Sequence, residues 1–196
     1  GFNAGSAVAA DGSAGMAMLV THISAATGAL TWMSIEWIKS GKATMIGIAT
    51  GMVAGLATIT PASGTVGPAG ALLIGFLAGL VCFYATQAVK SYFKIDDSLD
   101  VFPVHGVGGI LGIIMIAFVG NPDGFLGSGA AGISEDGAIA QLMIQLQGVV
   151  VISAYTAIVT YVILRLISLI TDIRASEEDE DIGLDMSEHN EQGYSL

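Results

Sequence analysis

Charged side chains are scarce in this sequence, and their scarcity excludes an ordinary soluble domain. Of the 196 residues, 12% are Asp, Glu, Lys or Arg, whereas soluble domains average roughly 25%. Hydrophobic residues make up 53% of the chain, and they gather in several runs that are long enough to cross a bilayer. The sequence therefore predicts an all-α integral membrane protein, because a helix satisfies its own backbone hydrogen bonds in lipid.

Cysteine and basic residues are also scarce. Cys82 is the single cysteine, which excludes an intrachain disulfide. Lys and Arg number six against 17 acidic residues, so no nucleic-acid partner is expected. Residues 172–196 hold nine of the acidic residues and one basic residue, a net charge of −8. The acidity thus belongs to a C-terminal tail, and composition alone indicates a solvated, disordered end.

The hydrophobic runs divide the chain into a transmembrane region, residues 1–171, and the acidic tail, residues 172–196. Residues 1–10 are predicted to be the last turns of a helix, which Asp11 and Gly12 break. Five spans follow, and the last would be about 48 Å long, so it must tilt or project beyond a hydrocarbon core of about 30 Å. The predicted spans cover residues 15–38, 44–60, 68–89, 100–119 and 139–170.

All six basic residues fall on one side of this predicted topology. The connections 10–14, 61–68 and 120–137 contain no Lys or Arg. Because positively charged segments stay in the cytoplasm, these connections are predicted to face outward, and the turn at 39–43 and the loop at 90–98 to face inward. We therefore expect a multi-pass protein of the cell membrane with a cytoplasmic C-terminus. The basic residues are Lys39, Lys42, Lys90, Lys94, Arg165 and Arg174.

The ionisable side chain of His105 lies inside a predicted span. Ionisable groups are costly in hydrocarbon, so their presence there indicates function. The alternative is a neutral histidine that hydrogen-bonds to a neighbouring helix. Gly106, Gly108 and Gly109 remove side-chain bulk around the imidazole, which allows either close helix packing or an open passage. Asp100 is predicted to cap the helix that carries His105.

Glycines repeat at helical spacing in two other spans. Gly47, Gly51 and Gly55 form one seam, and Gly75 and Gly79 form another. In lipid, such seams let helix backbones approach closely. We interpret both seams as packing surfaces.

Several sequence blocks resemble those of one membrane-protein family. The most specific block is Asp-Val-Phe-x-Val-His-Gly at residues 100–106, and the blocks follow the family's order over essentially the whole chain. On these blocks the chain resembles the second half of an ammonium transporter of the Amt/Mep/Rh family, from the end of the sixth helix through the eleventh helix and the tail. The blocks lie at residues 2–6, 31–37, 55–64, 96–106 and 183–189.

The resemblance implies roles for individual residues. Phe2 resembles one of two stacked phenylalanines that gate the pore from outside, and Ser6 resembles the vestibule serine that accepts a proton from the incoming ammonium. His105 resembles the second of the twin histidines in the pore centre. Thr60 matches a threonine near the inner part of the pore, and Asp100 matches a family aspartate at the cytoplasmic start of the histidine helix.

The resemblance also implies a fold, a substrate and partners. The fold is a helical bundle of two inverted halves, assembled in the bilayer as a homotrimer with a pore in each subunit and with no cofactor or metal. The substrate is ammonium or ammonia, and the cytoplasmic tail touches neighbouring subunits and cooperates with PII-type regulatory proteins. The first twin histidine and the second gating phenylalanine belong to the other half, so we expect this chain to be a fragment.

Two other functions fit parts of the sequence. An intramembrane enzyme would use His105 with Asp100, but residues five apart on a helix do not share a face, and no nucleophile or second metal ligand lies nearby. An ammonium sensor without transport would use the tail as its output. A further histidine, His22, maps to no pore histidine of the family and is predicted to be a hydrogen-bonded packing residue.

Overall fold

The computed structural model of the protein describes residues 1–120 and 137–192, and the regular elements within these residues are helices. Most of the predicted connection 120–137 lies outside the described residues. The α-helices are α1 (Phe2–Gly5), α2 (Gly12–Ser40), α3 (Met45–Ile59), α4 (Pro68–Gln87), α5 (Gly108–Val119), α6 (Ala138–Ile167), α7 (Glu177–Ile182) and α8 (Leu184–His189).

Within residues 1–120 and 137–192, five helical segments are long and apolar enough to cross a membrane, and each overlaps one predicted span. They are Gly12–Ser40, Met45–Ala62, Pro68–Tyr92, Phe102–Val119 and Ala138–Ile167. This arrangement agrees with the predicted all-α membrane fold. The predicted boundary between spans and tail, at residues 171 and 172, stays a prediction.

Local sequence signals account for where the long helices begin and end. The side chain of Asp11 accepts hydrogen bonds from two backbone N–H groups of the first turn of α2, at 2.9 and 3.1 Å. Gly41 ends α2 with a left-handed backbone, at a φ of 73°. Thr44 caps α3, and Pro68 stands at the start of α4, where its missing N–H has no helical partner in any case.

The opening helix is shorter than predicted. It ends at Gly5 rather than near Ala10, because the N–H groups of Ala7 and Val8 bond to carbonyls three residues back. Ala7 N donates to Ala4 O at 3.2 Å, which tightens the last turn. Val8 then has a left-handed backbone, with a φ of 59°, and a β-branched residue in that conformation cannot continue an α-helix.

Two membrane-length segments contain a π-helical turn. The first π turn, Ala88–Tyr92, extends α4, and the second π turn, Phe102–Val107, leads into α5. Pro103 lies in the second π turn and cannot donate a backbone hydrogen bond. Single π turns are uncommon and occur frequently at functional sites. His105 lies within the second π turn.

Helix α2 contacts both predicted glycine seams. A Cβ added at Gly55 of α3 or at Gly75 of α4 would collide with the backbone carbonyl of Ser24 in α2. The Ser24 hydroxyl is fully buried and donates to Gly55 O at 2.9 Å. The prediction that the glycines are packing surfaces is confirmed, because only a residue without a side chain permits these backbone contacts.

Two buried apolar clusters lie at opposite ends of the α2–α5 bundle. One cluster lies next to the 61–68 connection, at the end where Asn3 contacts Thr60, which we call the Asn3 end. The other lies next to the second π turn, at the end that we call the His105 end. The cluster at the Asn3 end contains Val20, Ile59, Ala62, Val66, Ala71, Ile74, Met115, Ile116 and Val119. The cluster at the His105 end contains Trp32, Ala54, Cys82, Phe83 and Val104.

The chain divides into two compact units, Gly1–Val149 and Val150–Leu196. In the second unit, the acidic tail forms the short helices α7 and α8, which bury no residue. Ser176 caps α7 by accepting from Asp179 N at 3.1 Å. Arg174 donates two hydrogen bonds to the Glu180 carboxylate, at 3.0 and 3.2 Å. This guanidinium lowers the pKa of Glu180 below its ordinary value.

Candidate functional site

The first candidate residues, Phe2 and Ser6, lie on the exposed side of α1. The side chain of Phe2 is 80% exposed. The Ser6 hydroxyl donates to Phe2 O at 2.9 Å, which leaves its oxygen lone pairs free to accept a hydrogen bond. The four-residue spacing thus places a ring and a hydroxyl oxygen side by side on one open face.

Asn3 is the residue that holds this short helix in place, and the sequence reasoning did not single it out. Its side chain is 9% exposed and donates to Thr21 Oγ1 at 3.0 Å and to Thr60 Oγ1 at 3.4 Å. Both threonines use their own hydroxyl protons on carbonyls of their own helices. Asn3 therefore joins α1 to α2 and α3. A polar side chain between Phe2 and apolar neighbours was the available sequence signal.

Thr60 lies at the Asn3 end of the bundle. It follows α3 directly and borders the 61–68 connection, at the opposite end of α3 from the 39–43 turn. A position near the inner part of the pore is incompatible with the predicted orientation, in which 61–68 faces outward. The two predictions therefore conflict: the direction of α3 carries Thr60 to the same end as Asn3, and both the pore position of Thr60 and the orientation of this end stay predictions.

His105 lies at the other end, on the second π turn. Its side chain is exposed, and its ring makes no hydrogen bond with residues 1–120 or 137–192. The glycines near His105 show both arrangements that the sequence allowed, which are close helix packing and open space. A Cβ added at Gly108 would press on Thr58 Oγ1 and Cys82 Sγ, whereas one added at Gly109 would meet no described residue within 4 Å. Gly108 thus brings the backbone close to α3 and α4, and Gly109 leaves space open beside the histidine turn.

Asp100 is an ion-pair partner rather than a helix cap. The carboxylate that receives the first N–H groups of the helix belongs to Asp97, which accepts from Val101 N and Phe102 N at 2.8 Å each. Asp100 has a left-handed backbone, with a φ of 57°, and its Oδ1 lies 2.7 Å from Lys90 Nζ. The prediction of an Asp100 side-chain cap is wrong, because its carboxylate turns towards Lys90.

Asp100 also borders a cleft of about 250 Å³ at the His105 end. Glu36 is a second carboxylate in the cleft, and it accepts from Thr44 N at 2.8 Å and from Trp32 Nε1 at 3.3 Å. Such a cleft offers oxygen acceptors and aromatic ring faces to a small cation. The lining residues are Trp32, Glu36, Thr44, Ile46, Gly47, Thr50, Phe83, Thr86, Gln87 and Asp100.

The candidate residues thus form two groups. Phe2, Ser6 and Thr60 lie at the Asn3 end, and His105 and Asp100 lie at the His105 end. His22 belongs to neither group: it is exposed on α2, and its Nδ1 donates to Met18 O at 3.1 Å. The predicted hydrogen bond of His22 is therefore present within its own helix, but the ring is not packed inside the described bundle.

Known proteins resemble this chain along nearly its whole length. The model described as the Ammonium Transporter Family matches residues 1–194. The ammonium transporter of Aquifex aeolicus is 42% identical over 196 residues, which are 100% of this chain and 45% of that protein. The chain spans less than half the length of the curated relatives that it matches.

Solved structures share the fold. A structure named Sensor Amt Protein superposes with a TM-score of 0.83 and 26% identity, over 96% of this chain and 45% of that chain. The Mep2 protein of Saccharomyces cerevisiae superposes with a TM-score of 0.79 and 34% identity, over 90% of this chain and 40% of that chain. Both likenesses cover less than half of a longer chain.

Proposed function

Because this chain belongs to the ammonium transporter family, we propose that the full-length protein that contains it conducts ammonium or ammonia across the cell membrane. The family is a transport family, which sets aside the enzyme alternative. Relatives named as ammonium transporters share 39–42% identity with this chain, whereas the structure named as a sensor shares 26%. Transport is therefore favoured over a sensor without transport.

The observation that carries the proposal is the position of His105. It lies in an 18-residue apolar segment, Phe102–Val119, yet its side chain is exposed beside the open space at Gly109. A neutral imidazole offers one hydrogen-bond donor and one acceptor. It can therefore hold ammonia, or relay a proton, in a passage whose apolar wall rejects a bare cation such as potassium.

The outer entrance is assigned to Phe2 and Ser6. Ammonium would bind the ring face of Phe2 by cation–π attraction and donate a hydrogen bond to the hydroxyl oxygen of Ser6. Ammonium would there pass a proton to water, and ammonia would cross the apolar section at low cost while His105 relays the proton, so that one positive charge crosses with each ammonia. The absence of Lys and Arg from residues 10–14 and 61–68 supports an outward orientation of this end.

The inner exit is assigned to the cleft beside Asp100. Its carboxylates and the basic residues around it, Lys39 and Lys90, lie at the end that the distribution of positive charge orients towards the cytoplasm. Ammonia that leaves the apolar passage would take up a proton there. The same orientation would make the tail cytoplasmic, where we place its contacts with neighbouring subunits of a homotrimer and with PII-type proteins.

The test is His105→Ala in the full-length protein, reconstituted into liposomes at equal amounts of folded protein. We expect the ammonium-evoked current to fall or vanish, because the hydrogen-bonding group is gone, and potassium to leak through the vacated space. His22→Ala is the control, and it should retain the current. If His105→Ala matches the wild type in both current and leak, the proposed role of His105 is wrong.

A further inference from the structure

Asp97 is a half-buried carboxylate whose two oxygens bind the start of the histidine helix. Its Oδ1 accepts from Val101 N at 2.8 Å, and its Oδ2 accepts from Phe102 N at 2.8 Å. The first N–H groups of a helix have no partner within the helix, so a carboxylate that binds two of them fixes where the helix begins. Asp97 thus determines the register at which the second π turn starts.

The register matters here because His105 lies within a π turn. A π turn holds one more residue than an α turn, so relaxation to an α-helix would rotate His105 relative to the residues before it by about 100°. Pro103 lies in the first turn, where its missing N–H loses no helical hydrogen bond. The side-chain hydrogen bonds at the beginning of the turn are those that Asp97 accepts from Val101 N and Phe102 N.

A second contact braces the same junction from α4. Asp100, immediately before the turn, has a left-handed backbone and pairs with Lys90 at 2.7 Å. Lys90 lies in the first π turn, so the ion pair connects that turn to the backbone two residues before the second π turn. Left-handed backbone at a non-glycine residue persists only where the surroundings hold it. The ion pair and the Asp97 bonds together fix the junction between Asp97 and His105.

We propose that Asp97 is a positioning residue for transport: by binding Val101 N and Phe102 N, it holds the π turn in the register that directs His105 into the passage. This inference rests on the proposed function and adds a residue to it. Asp97 touches no substrate in this scheme and acts through the backbone of the helix.

The experiment uses Asp97→Ala and Asp97→Asn in the full-length protein in liposomes, with ammonium-evoked current and potassium leak both measured per folded protein. The ratio of current to leak separates the two possible effects. Fewer folded molecules would lower current and leak together and leave the ratio unchanged. A rotated His105 lowers the ratio, since ammonia conduction falls while the exclusion of potassium weakens.

We expect Asp97→Ala to lower the ratio about ten-fold, in line with the sensitivity of positioned groups to small displacements. Asp97→Asn should give an intermediate ratio, because the amide oxygen can still accept one of the two N–H groups. The matched control is Asp96→Ala, which removes the same charge from the neighbouring residue, whose carboxylate makes only a 3.5 Å contact with Ser98. Its ratio should equal that of the wild type.

His105→Ala, measured in parallel, distinguishes the two hypotheses. If His105→Ala leaves the ratio unchanged, the proposed function fails first. If His105→Ala lowers the ratio while Asp97→Ala and Asp97→Asn leave it at the wild-type value, the positioning role of Asp97 is wrong and the role of His105 stands. An equal loss in Asp96→Ala would also overturn the proposal, because the effect would then follow from loop charge rather than from the cap. Where Asp97→Ala does not fold, Asp97→Asn alone decides.

Discussion

Two spans among the described residues are equally apolar, yet their most apolar windows differ in how much is buried. Pro68–Tyr92 and Ala138–Ile167 have the same mean hydropathy, but 44% of the first span's most apolar window is buried, against none for the second. The spans differ in where their backbones can approach a neighbour. Gly75 and Gly79 place the backbone of α4 directly on α2, whereas a Cβ at Gly148 of α6 would meet nothing within 4 Å among the described residues.

This comparison indicates that hydropathy predicts which segments can enter the membrane, but not which segments pack against each other. Lipid tails are as apolar as Leu or Ile side chains, so burial of an apolar helix against another brings little hydrophobic gain inside a bilayer. Close backbone contact brings dispersion and hydrogen bonding instead, as at the Ser24 hydroxyl and Gly55 O. The glycine seams therefore predict which spans pack together, and hydropathy alone does not.

Gly75→Leu, in the packed span, is expected to lower the stability most. The new side chain would collide with Ser24 O and with Thr27, and backbone cannot move aside as a flexible side chain can. We expect the free energy of unfolding to fall by about 3 kcal/mol, measured by thermal unfolding of the full-length protein in detergent. Gly148→Leu, the matched change in α6, should leave the stability unchanged. An equal loss for Gly148→Leu would mean that α6 packs through Gly148 in the full-length protein.

Asn3→Ala tests the packed region through a polar contact and should have a smaller effect. The substitution removes the amide that joins Thr21 and Thr60, and it leaves two hydroxyl oxygens without their donor. We expect a loss of about 1–2 kcal/mol by the same unfolding measurement. Gln147→Ala, an amide removed from the exposed surface of α6, serves as the control. A stability equal to the wild type in Asn3→Ala would show that α1 is held by other contacts.

The smallest expected effect lies in the tail, where α7 and α8 bury no residue. Hydrogen bonds from Arg174, and then its charge, lower the pKa of Glu180. A carboxylate with a lowered pKa stabilises the folded tail above its unfolded pKa, and this contribution disappears as the pH falls through the folded value. The expected change at neutral pH is slight, because the pair is exposed to solvent and salt.

The carboxyl ¹³C shift of Glu180, followed by NMR titration, measures this effect. Arg174→Ala should return the pKa of Glu180 to its ordinary range, and Arg174→Lys should retain part of the lowering, since the charge stays while the two parallel hydrogen bonds are lost. If the titration of Glu180 is the same with and without Arg174, the ion pair is not formed in solution.

Much of the fold could be predicted because its signals are local. Asp11 caps α2 and Gly41 ends it, as their residue types indicate. The cap of the histidine helix could not be assigned in the same way. Asp97 and Asp100 are both carboxylates within reach of the first turn, and the choice depends on the backbone of Asp100 and on Lys90, a residue from another helix. Local residue type cannot decide a contact that the path of a second segment determines.

The candidate site shows the same division. The family blocks identified Phe2, Ser6, Thr60, Asp100 and His105, because those residues lie in specific motifs. They did not indicate that Asn3 anchors α1, or that Thr60 belongs to the Asn3 end. Both facts depend on hydrogen bonds between residues 18 and 57 positions apart.

The sequence by itself determined that this chain is a helical membrane protein, which segments are long and apolar enough to cross the bilayer, and which of them carry close-packing glycines. These properties follow from composition and from periodicity within one helix, so they need no knowledge of distant contacts. Only the tertiary structure decided which carboxylate caps the helix of His105, that this helix begins with a π turn, and that the histidine side chain is exposed among the described residues. Those features depend on Pro103, on the Asp97 hydrogen bonds and on the Lys90–Asp100 ion pair together. Lys90 belongs to another helical segment, so the sequence of the histidine helix alone does not determine them.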